Sequence, residues 1–324
     1  MRRRRLVGVL LALLAAAAAG FAFRAWQEFN APGPLAEMRR VVVPKGTGLG
    51  PLADLLTEQG VLRHPLAFRV FVIVDGAESR LKAGEYDFPA GISAASVRDL
   101  LVAGETVVRR LTVPEGLTTA AVLDLLRNAE GLVGEAPDPG EGRLLPETYH
   151  YSHGDSRADL AARMQRAMDK ALARLFRDRP AGSPLGSETE LLTLASIVEK
   201  ETGLSGERAR IAGVFVNRLK RGMRLQTDPT VIYALTGGRR KLGRPLTRAD
   251  LRVDHPYNTY RIPGLPPGPI ANPGLAALEA AARPAETDAL YFVADGAGGH
   301  LFARTLREHN RNAARYRRLL RRMQ

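Results

Sequence analysis

The 324-residue chain has no cysteine. That absence excludes disulfides, Cys-ligated zinc, iron–sulfur clusters, thiol catalysis and cysteine-linked lipid anchors, while leaving the redox compartment open. No Gly-rich phosphate loop follows a strand in the required form, which argues against nucleotide chemistry. His150 and His153 stand at a ligand-like interval, but no third ligand block accompanies them and Gly154 makes their loop a poor scaffold. Neither a metal nor a cofactor is expected. Net positive charge is also missing from most of the chain, although the formal net value of the whole is +13. Arg2 to Arg5 supply four charges, and residues 304–324 hold eight Arg against the single Glu308, so the two ends carry eleven of the thirteen. The charge is therefore not spread over a folded surface; the basic C-terminal segment could bind nucleic acid or lipid headgroups, but the topology read below puts it outside the cytoplasm, so no nucleic acid is expected as a partner.

What is present begins with an uncharged apolar run at residues 6–23, framed by Arg5 and Arg24. At ~1.5 Å per residue this run spans about 27 Å, close to the hydrocarbon core of a bilayer. The basic residues before it put the N-terminus in the cytoplasm and the rest of the chain outside. A cleaved signal peptide is the competing reading, because residues 15–20 are small; the length of the run and the bulky Phe21 and Phe23 favour a retained span. The expected order is a cytoplasmic tail at 1–5, a transmembrane helix at 6–23 and a linker at 24–37, in the cytoplasmic (inner) membrane. The basic C-terminal segment would then be a solvated helix or touch an anionic wall or membrane surface.

A strand at Val41-Val42-Val43, closed by Pro44-Lys45-Gly46, leads into a helix at 52–56, and the pattern returns at Val113-Pro114 and Gly116 with a helix at 123–126. Two strand-turn-helix units are therefore expected. Residues 81–88 read as a hairpin arm leading to Ser93, a candidate cap for the helix at 94–101. A Gly/Pro-rich, acidic stretch at 131–142 reads as a linker. A long amphipathic helix follows at 157–176, broken near Pro180 and Pro184.

Ser187 with Glu190 is a capping-box pair in front of a helix running to Glu201. On a helical wheel Leu191, Leu194, Ala195 and Val198 form the apolar stripe, and Glu199 and Glu201 fall on its two opposite flanks. A carboxyl held against an apolar wall resists ionisation, which is what a general acid needs at neutral pH. The wheel does not choose between the two. Further on, Asp228-Pro229 starts a helix behind the polar Gln226 and Thr227. The loop at 256–268 combines Tyr257, Asn258 and Tyr260 with four prolines, a rigid arrangement suited to stacking on and hydrogen bonding with sugar rings. His300, after Gly298-Gly299, is expected to pack or hydrogen-bond at a hairpin end.

Four blocks in this order carry a resemblance: LASIVEKET at 194–202, RLQTDPTVIY at 224–233, YNTY at 257–260 with GLPPG at 264–268, and YFVADG at 291–296 followed by Gly299-His300 and Glu308-His309-Asn310. Together they resemble the endolytic murein transglycosylase family (YceG-like). The resemblance implies an α+β fold with an N-terminal transmembrane helix, a small LysM-like module at 38–105 and a larger mixed catalytic domain at 106–324. It implies cleavage of the β-1,4 bond between N-acetylmuramic acid and N-acetylglucosamine within peptidoglycan strands, leaving a 1,6-anhydro end. It also implies an acid/base role for the first Glu of the VEKET block, Glu199, with Glu201 in reserve. Glu147, Gln226, Asp228, Asn258 and Tyr260 are candidates for holding the glycan, and a peptidoglycan synthase is the implied protein partner. The alternative is a membrane-tethered glycan-binding scaffold without turnover.

Overall fold

A computed structural model describes residues 2–323, with side chains from residue 8 to residue 321. The side chains of Arg2 to Arg5, on which the expected orientation rests, lie outside the described residues. Backbone contacts divide the chain into two compact units, the first comprising residues 1–109 and 150–155 and the second residues 110–149 and 156–324.

The first unit opens with α1 (Arg2–Asn30). Within it, Gly8–Asn30 is long and apolar enough to cross a membrane. The apolar side chains Val9, Leu10, Leu13 and Phe21 are all exposed along this helix. Its last turn behaves differently, because Phe29 is buried and stacks on Phe71 at 4.5 Å between ring centres. Next come β1 (Arg39–Val43), α2 (Leu49–Glu58), α3 (Pro65–Val74), β2 (Gly84–Phe88) and α4 (Ala94–Ala103). β1 and β2 pair antiparallel, with Val41 opposite Tyr86, so the order is strand, two helices, strand. Alternate residues of each strand meet Leu52, Leu56, Phe68 and Val72 in one apolar core. Ser93 caps α4 as expected, its hydroxyl accepting the Ser96 N–H at 3.1 Å.

β3 (Arg109–Thr112) leads through Gly116 into α5 (Thr119–Asn128), and β4 (Thr148–Tyr151) pairs with β3. The two expected strand-turn-helix units are both present, with Gly46 and Gly116 each at the left-handed φ their turns need. The stretch expected to be a linker, 131–142, is instead fastened within the second unit. Glu141 accepts the Thr119 N–H at 2.7 Å, the Gly140 carbonyl accepts the Thr119 hydroxyl at 3.0 Å, and Leu132 is buried.

The rest of the second unit is a helical cluster: α6 (Arg157–Arg177), α7 (Glu188–Glu201), α8 (Ser205–Lys220), α9 (Asp228–Thr236) and α10 (Leu275–Ala282). A hairpin of β5 (Tyr291–Ala294) and β6 (His300–Ala303) and the basic α11 (Leu306–Met323) follow. Ser187 and Glu190 form the capping interaction in front of α7. The wheel, however, gave α7 a single apolar stripe, whereas every residue from Leu191 to Val198 is buried. Contacts with α6, α8, α9 and α10 enclose it. Its polar members are satisfied inside the core: the Ser196 hydroxyl donates to the Thr193 carbonyl at 2.7 Å and accepts the Ile270 N–H at 3.0 Å.

α8 approaches its neighbour closely at Gly213, where an added Cβ would lie 2.5 Å from the Ala285 carbonyl oxygen and 2.9 Å from the Thr287 methyl. Gly213→Ala should therefore lower the stability by about 1–3 kcal/mol through overpacking, despite a helix-propensity gain of roughly 1 kcal/mol. Thermal unfolding of the pair checks this, and a higher Tm for the alanine variant would refute the close-packing account.

Candidate functional site

Because α7 is enclosed up to Val198, its last turn projects Glu199, Lys200 and Glu201 beyond the core in different directions. The two carboxyls enter separate environments. Glu199, 6 % exposed at its side chain, accepts the Gly274 N–H at 3.0 Å and lies 3.5 Å from the Arg208 guanidinium. Arg208 also reaches Glu115 at 3.3 Å. Burial pushes the Glu199 carboxyl above the ordinary carboxylate range and the nearby Glu115 adds to this, while the Gly274 N–H and Arg208 pull the other way. Gly274 is required here, since an added Cβ would overlap the Glu115 carboxyl. Glu199 is thus held within an ion-pair cluster packed between α7, α8 and the start of α10.

Glu201 faces a cavity of about 420 Å3, whose wall includes Arg218, Gln226, Thr227, Asp228, Tyr260 and His309. The Thr227 hydroxyl donates to its Oε1. Burial raises its pKa, and the neighbouring Asp228 adds to the effect; the Thr227 hydrogen bond, His300 and Arg218 oppose it. Arg218 forms part of the frame: its side chain is buried, donating from Nε to the Leu290 carbonyl at 2.6 Å and from Nη1 to the Leu225 carbonyl at 2.7 Å. The ring of His309 stacks on Tyr291 at 5.3 Å, and its buried Nδ1 has no hydrogen-bond partner among the described residues. Burial, then Arg218, holds its pKa below the usual histidine value.

The candidate glycan-holding residues divide. Gln226, Asp228 and Tyr260 line the Glu201 cavity. Gln226 adopts a φ of 51°, the one non-glycine positive φ among the described residues. Its N–H is tied to the Thr259 carbonyl at 3.2 Å, and the side chain is exposed. The Tyr260 hydroxyl donates to Asp228 at 2.7 Å. Asn258 is fully buried, so it cannot meet a sugar. Its amide donates to the Leu251 and Val253 carbonyls and its oxygen accepts the Tyr260 N–H at 3.0 Å, which fixes the turn that presents Tyr260. The buried Thr259 hydroxyl joins this turn to the α9 start, accepting the Thr227 N–H at 3.0 Å and meeting the Thr230 hydroxyl at 2.8 Å. Glu147 is exposed on the approach to β4, its carbonyl accepting the Val113 N–H, and it lines neither this cavity nor the one beside Lys200. His300 closes a hairpin-end contact as expected, its ring Nδ1 2.7 Å from Glu207.

Residues that the sequence reading passed over include Glu115, Arg208, Arg218 and His309. Glu115 lies inside the repeated Val-Pro-x-Gly turn, and His309 inside a block already noted, so both had a positional signal; Arg208 and Arg218 had none.

The sequence pattern of the YceG-like family matches residues 41–315. The chain belongs to this family. It is 34 % identical over 306 residues to a Bacillus subtilis (strain 168) protein named endolytic murein transglycosylase, covering 85 % of this chain and 83 % of that one. It is 31 % identical to the Streptococcus pneumoniae serotype 2 protein of the same name, covering 85 % of this chain and 58 % of that protein. A crystal structure of a YceG-like protein from Listeria monocytogenes is 32 % identical with a TM-score of 0.53, covering 85 % of this chain and 99 % of that one.

The raised Glu201 pKa has a thermodynamic consequence in this YceG-like chain. Where a carboxyl titrates higher in the folded state than its unfolded value of about 4.3, the folded state binds its proton more tightly. Its contribution to stability is then most favourable below that value and declines as pH rises through the raised folded pKa. Glu201→Gln, an isostere of the protonated form, should raise Tm relative to wild type at pH 8 and lose that advantage at pH 4. Tm measured across this range tests the sign; a variant less stable than wild type at pH 8 would mean that the ionised carboxylate is the favoured native form.

Proposed function

We propose that this chain is an endolytic murein lytic transglycosylase in which Glu201, rather than Glu199, is the acid/base. The observation that carries the reading is the grouping of Glu201 with Gln226, Asp228 and Tyr260 around one cavity. Glu199, the residue the resemblance favoured, is instead engaged by Arg208 and the Gly274 N–H. The family membership and the names of the relatives support the reaction class.

A single carboxyl suffices for this reaction. An ordinary glycosidase needs a second one, as nucleophile or to activate water. Here the protonated Glu201 gives its proton to the glycosidic oxygen as the bond to the muramyl C1 breaks. The resulting carboxylate then takes the proton of the C6 hydroxyl as that oxygen bonds to C1, so the proton returns to Glu201 and the product carries a 1,6-anhydro ring. The attacking oxygen is tethered to the sugar, which gives it a high effective concentration without a positioned water. Asp228, held by the Tyr260 hydroxyl, is placed to stabilise positive charge developing at C1, and the backbone-strained Gln226 to hydrogen-bond the glycan. Glu199, with Arg208, holds the last turn of α7 in place against α8 and α10.

The β1-α2-α3-β2 module is LysM-like and contributes glycan affinity. α1 anchors the chain as a single span, N-terminus in the cytoplasm, with both units outside. In that position it cuts newly made glycan beside a peptidoglycan synthase.

Product analysis on purified glycan strands tests the assignment. Wild type should release 1,6-anhydro-ended fragments with no oxygen taken from labelled water. Glu201→Gln should lower that rate by about 10²–10⁴-fold, and Glu199→Gln by much less than Glu201→Gln. Reducing-end products carrying water oxygen would point to a hydrolase, and the reverse ranking of the two variants would return the role to Glu199.

A further inference from the structure

A second cavity of about 440 Å3 is lined by residues of the same two helix ends. Its volume is within the ordinary small-ligand range of roughly 300–1,000 Å3. Its wall includes Lys200 and Pro229, the immediate chain neighbours of Glu201 and Asp228 in the first cavity. Ile232 and Tyr233 of α9 line its apolar side, and Arg239, Arg240 and Lys241 stand at its rim. The rim is held in place. Gly237 and Gly238 both take left-handed φ values, and the Gly238 carbonyl accepts the Thr118 hydroxyl at 2.6 Å. An added Cβ at Gly238 would meet Tyr233, Glu141 and Thr118 within 3.2 Å, so the chain passes there with no room to spare. The acidic lining residue, Asp124, is ion-paired with Arg127. Arg239, Arg240 and Lys241 have no carboxylate partner among the described residues. The result is an apolar trough with a cationic rim, built on the residues next in sequence to Glu201 and Asp228.

We propose that this cavity binds the carboxylate-bearing peptide attached to the muramyl residue being cleaved. The inference rests on the transglycosylase reading and adds a substrate feature to it. The muramyl sugar that carries the reacting C1 also carries, through the lactyl ether on C3, a short peptide of small apolar residues and free carboxylates. A peptide leaving that sugar must run close to the acid/base. Its methyl groups match the Ile232–Tyr233 side and its carboxylates match Arg239, Arg240 and Lys241, with arginine suited to bidentate carboxylate contacts. On this account the protein prefers peptide-bearing glycan to strands stripped of peptide.

Two measurements decide it. Binding of a disaccharide-peptide and of its peptide-free disaccharide is measured by calorimetry on the full chain carrying Glu201→Gln, so that binding is read whether or not cleavage occurs. Adding Arg239→Glu and Arg240→Glu should weaken the disaccharide-peptide by about tenfold or more and shrink its advantage over the bare disaccharide. In the catalytically intact chain, the ratio of kcat/KM on peptide-bearing to peptide-stripped strands should fall by a similar factor. Circular dichroism and Tm confirm that the double variant folds, and Arg239→Lys with Arg240→Lys should restore part of the preference. An unchanged binding advantage and an unchanged ratio would overturn the proposal. So would a double variant that loses only its affinity for anionic phospholipid vesicles, which would make the rim a membrane contact. Absence of anhydro products from wild type would instead overturn the transglycosylase reading, leaving the calorimetry to judge the peptide site.

Discussion

The enclosure of α7 is the constraint from which the rest of the second unit follows. A helix buried on all sides from Leu191 to Val198 cannot rotate or slide without breaking its contacts with four other helices, so the direction of its last turn is fixed. Three consecutive residues at that end emerge into three settings: Glu199 into an ion-pair cluster, Lys200 toward the Gly116 carbonyl at 3.2 Å, and Glu201 into a cavity. At about 100° per residue neighbouring side chains diverge, and a rigid terminus turns that divergence into separate roles.

The opposite wall depends on a second fixed element, the zipper between the α9 start and the 258–260 turn. Thr227, Thr230 and Thr259 share buried hydroxyl contacts, and Asn258 uses its amide to hold the turn from behind. None of these side chains needs to touch substrate to matter. They set where Gln226, Asp228 and Tyr260 stand relative to Glu201, and a buried network with its partners satisfied is a stiff way to do so. The strained backbone at Gln226 fits this arrangement, because an unfavourable φ persists only where the surroundings hold it.

Much of this was legible in the sequence. The capping pair before α7, the repeated strand-turn-helix units, the Ser93 cap and the proline-led α9 were each readable from local chemistry, because caps and turns depend on residues next to one another. The wheel found both carboxyls but could not rank them. A wheel records which side of one helix a residue takes, whereas the choice between Glu199 and Glu201 depends on Arg208 from α8, Gly274 from the α10 start and Thr227 from before α9. The same limit explains Asn258, which has the composition of a sugar ligand and the position of a loop strut. It explains residues 131–142 as well: their Gly/Pro content signals irregular backbone correctly, but the Glu141–Thr119 contact that fastens them is made over a distance in sequence that composition does not report.

Burial of Glu201 has two opposing effects on the reaction proposed for it, and the neighbours of the carboxyl decide the balance. Raising the pKa favours the protonated form before bond cleavage, and it also makes the conjugate base more avid for the C6 proton afterwards, so a single desolvated carboxyl suits both halves of an internal cyclisation. The same shift weakens the acid, and an isolated carboxyl in a dry pocket would hold its proton too firmly to release it to a glycosidic oxygen. Thr227 answers this directly, because a hydroxyl that donates to Oε1 stabilises the carboxylate at the moment it forms. Arg218 adds a buried positive charge nearby, and both lower the Glu201 pKa against the effect of burial. Asp228 acts in the other sense and raises it. A cavity built from these parts keeps the acid and base forms closer in energy than burial alone would, and that closeness is what a residue used first as acid and then as base requires.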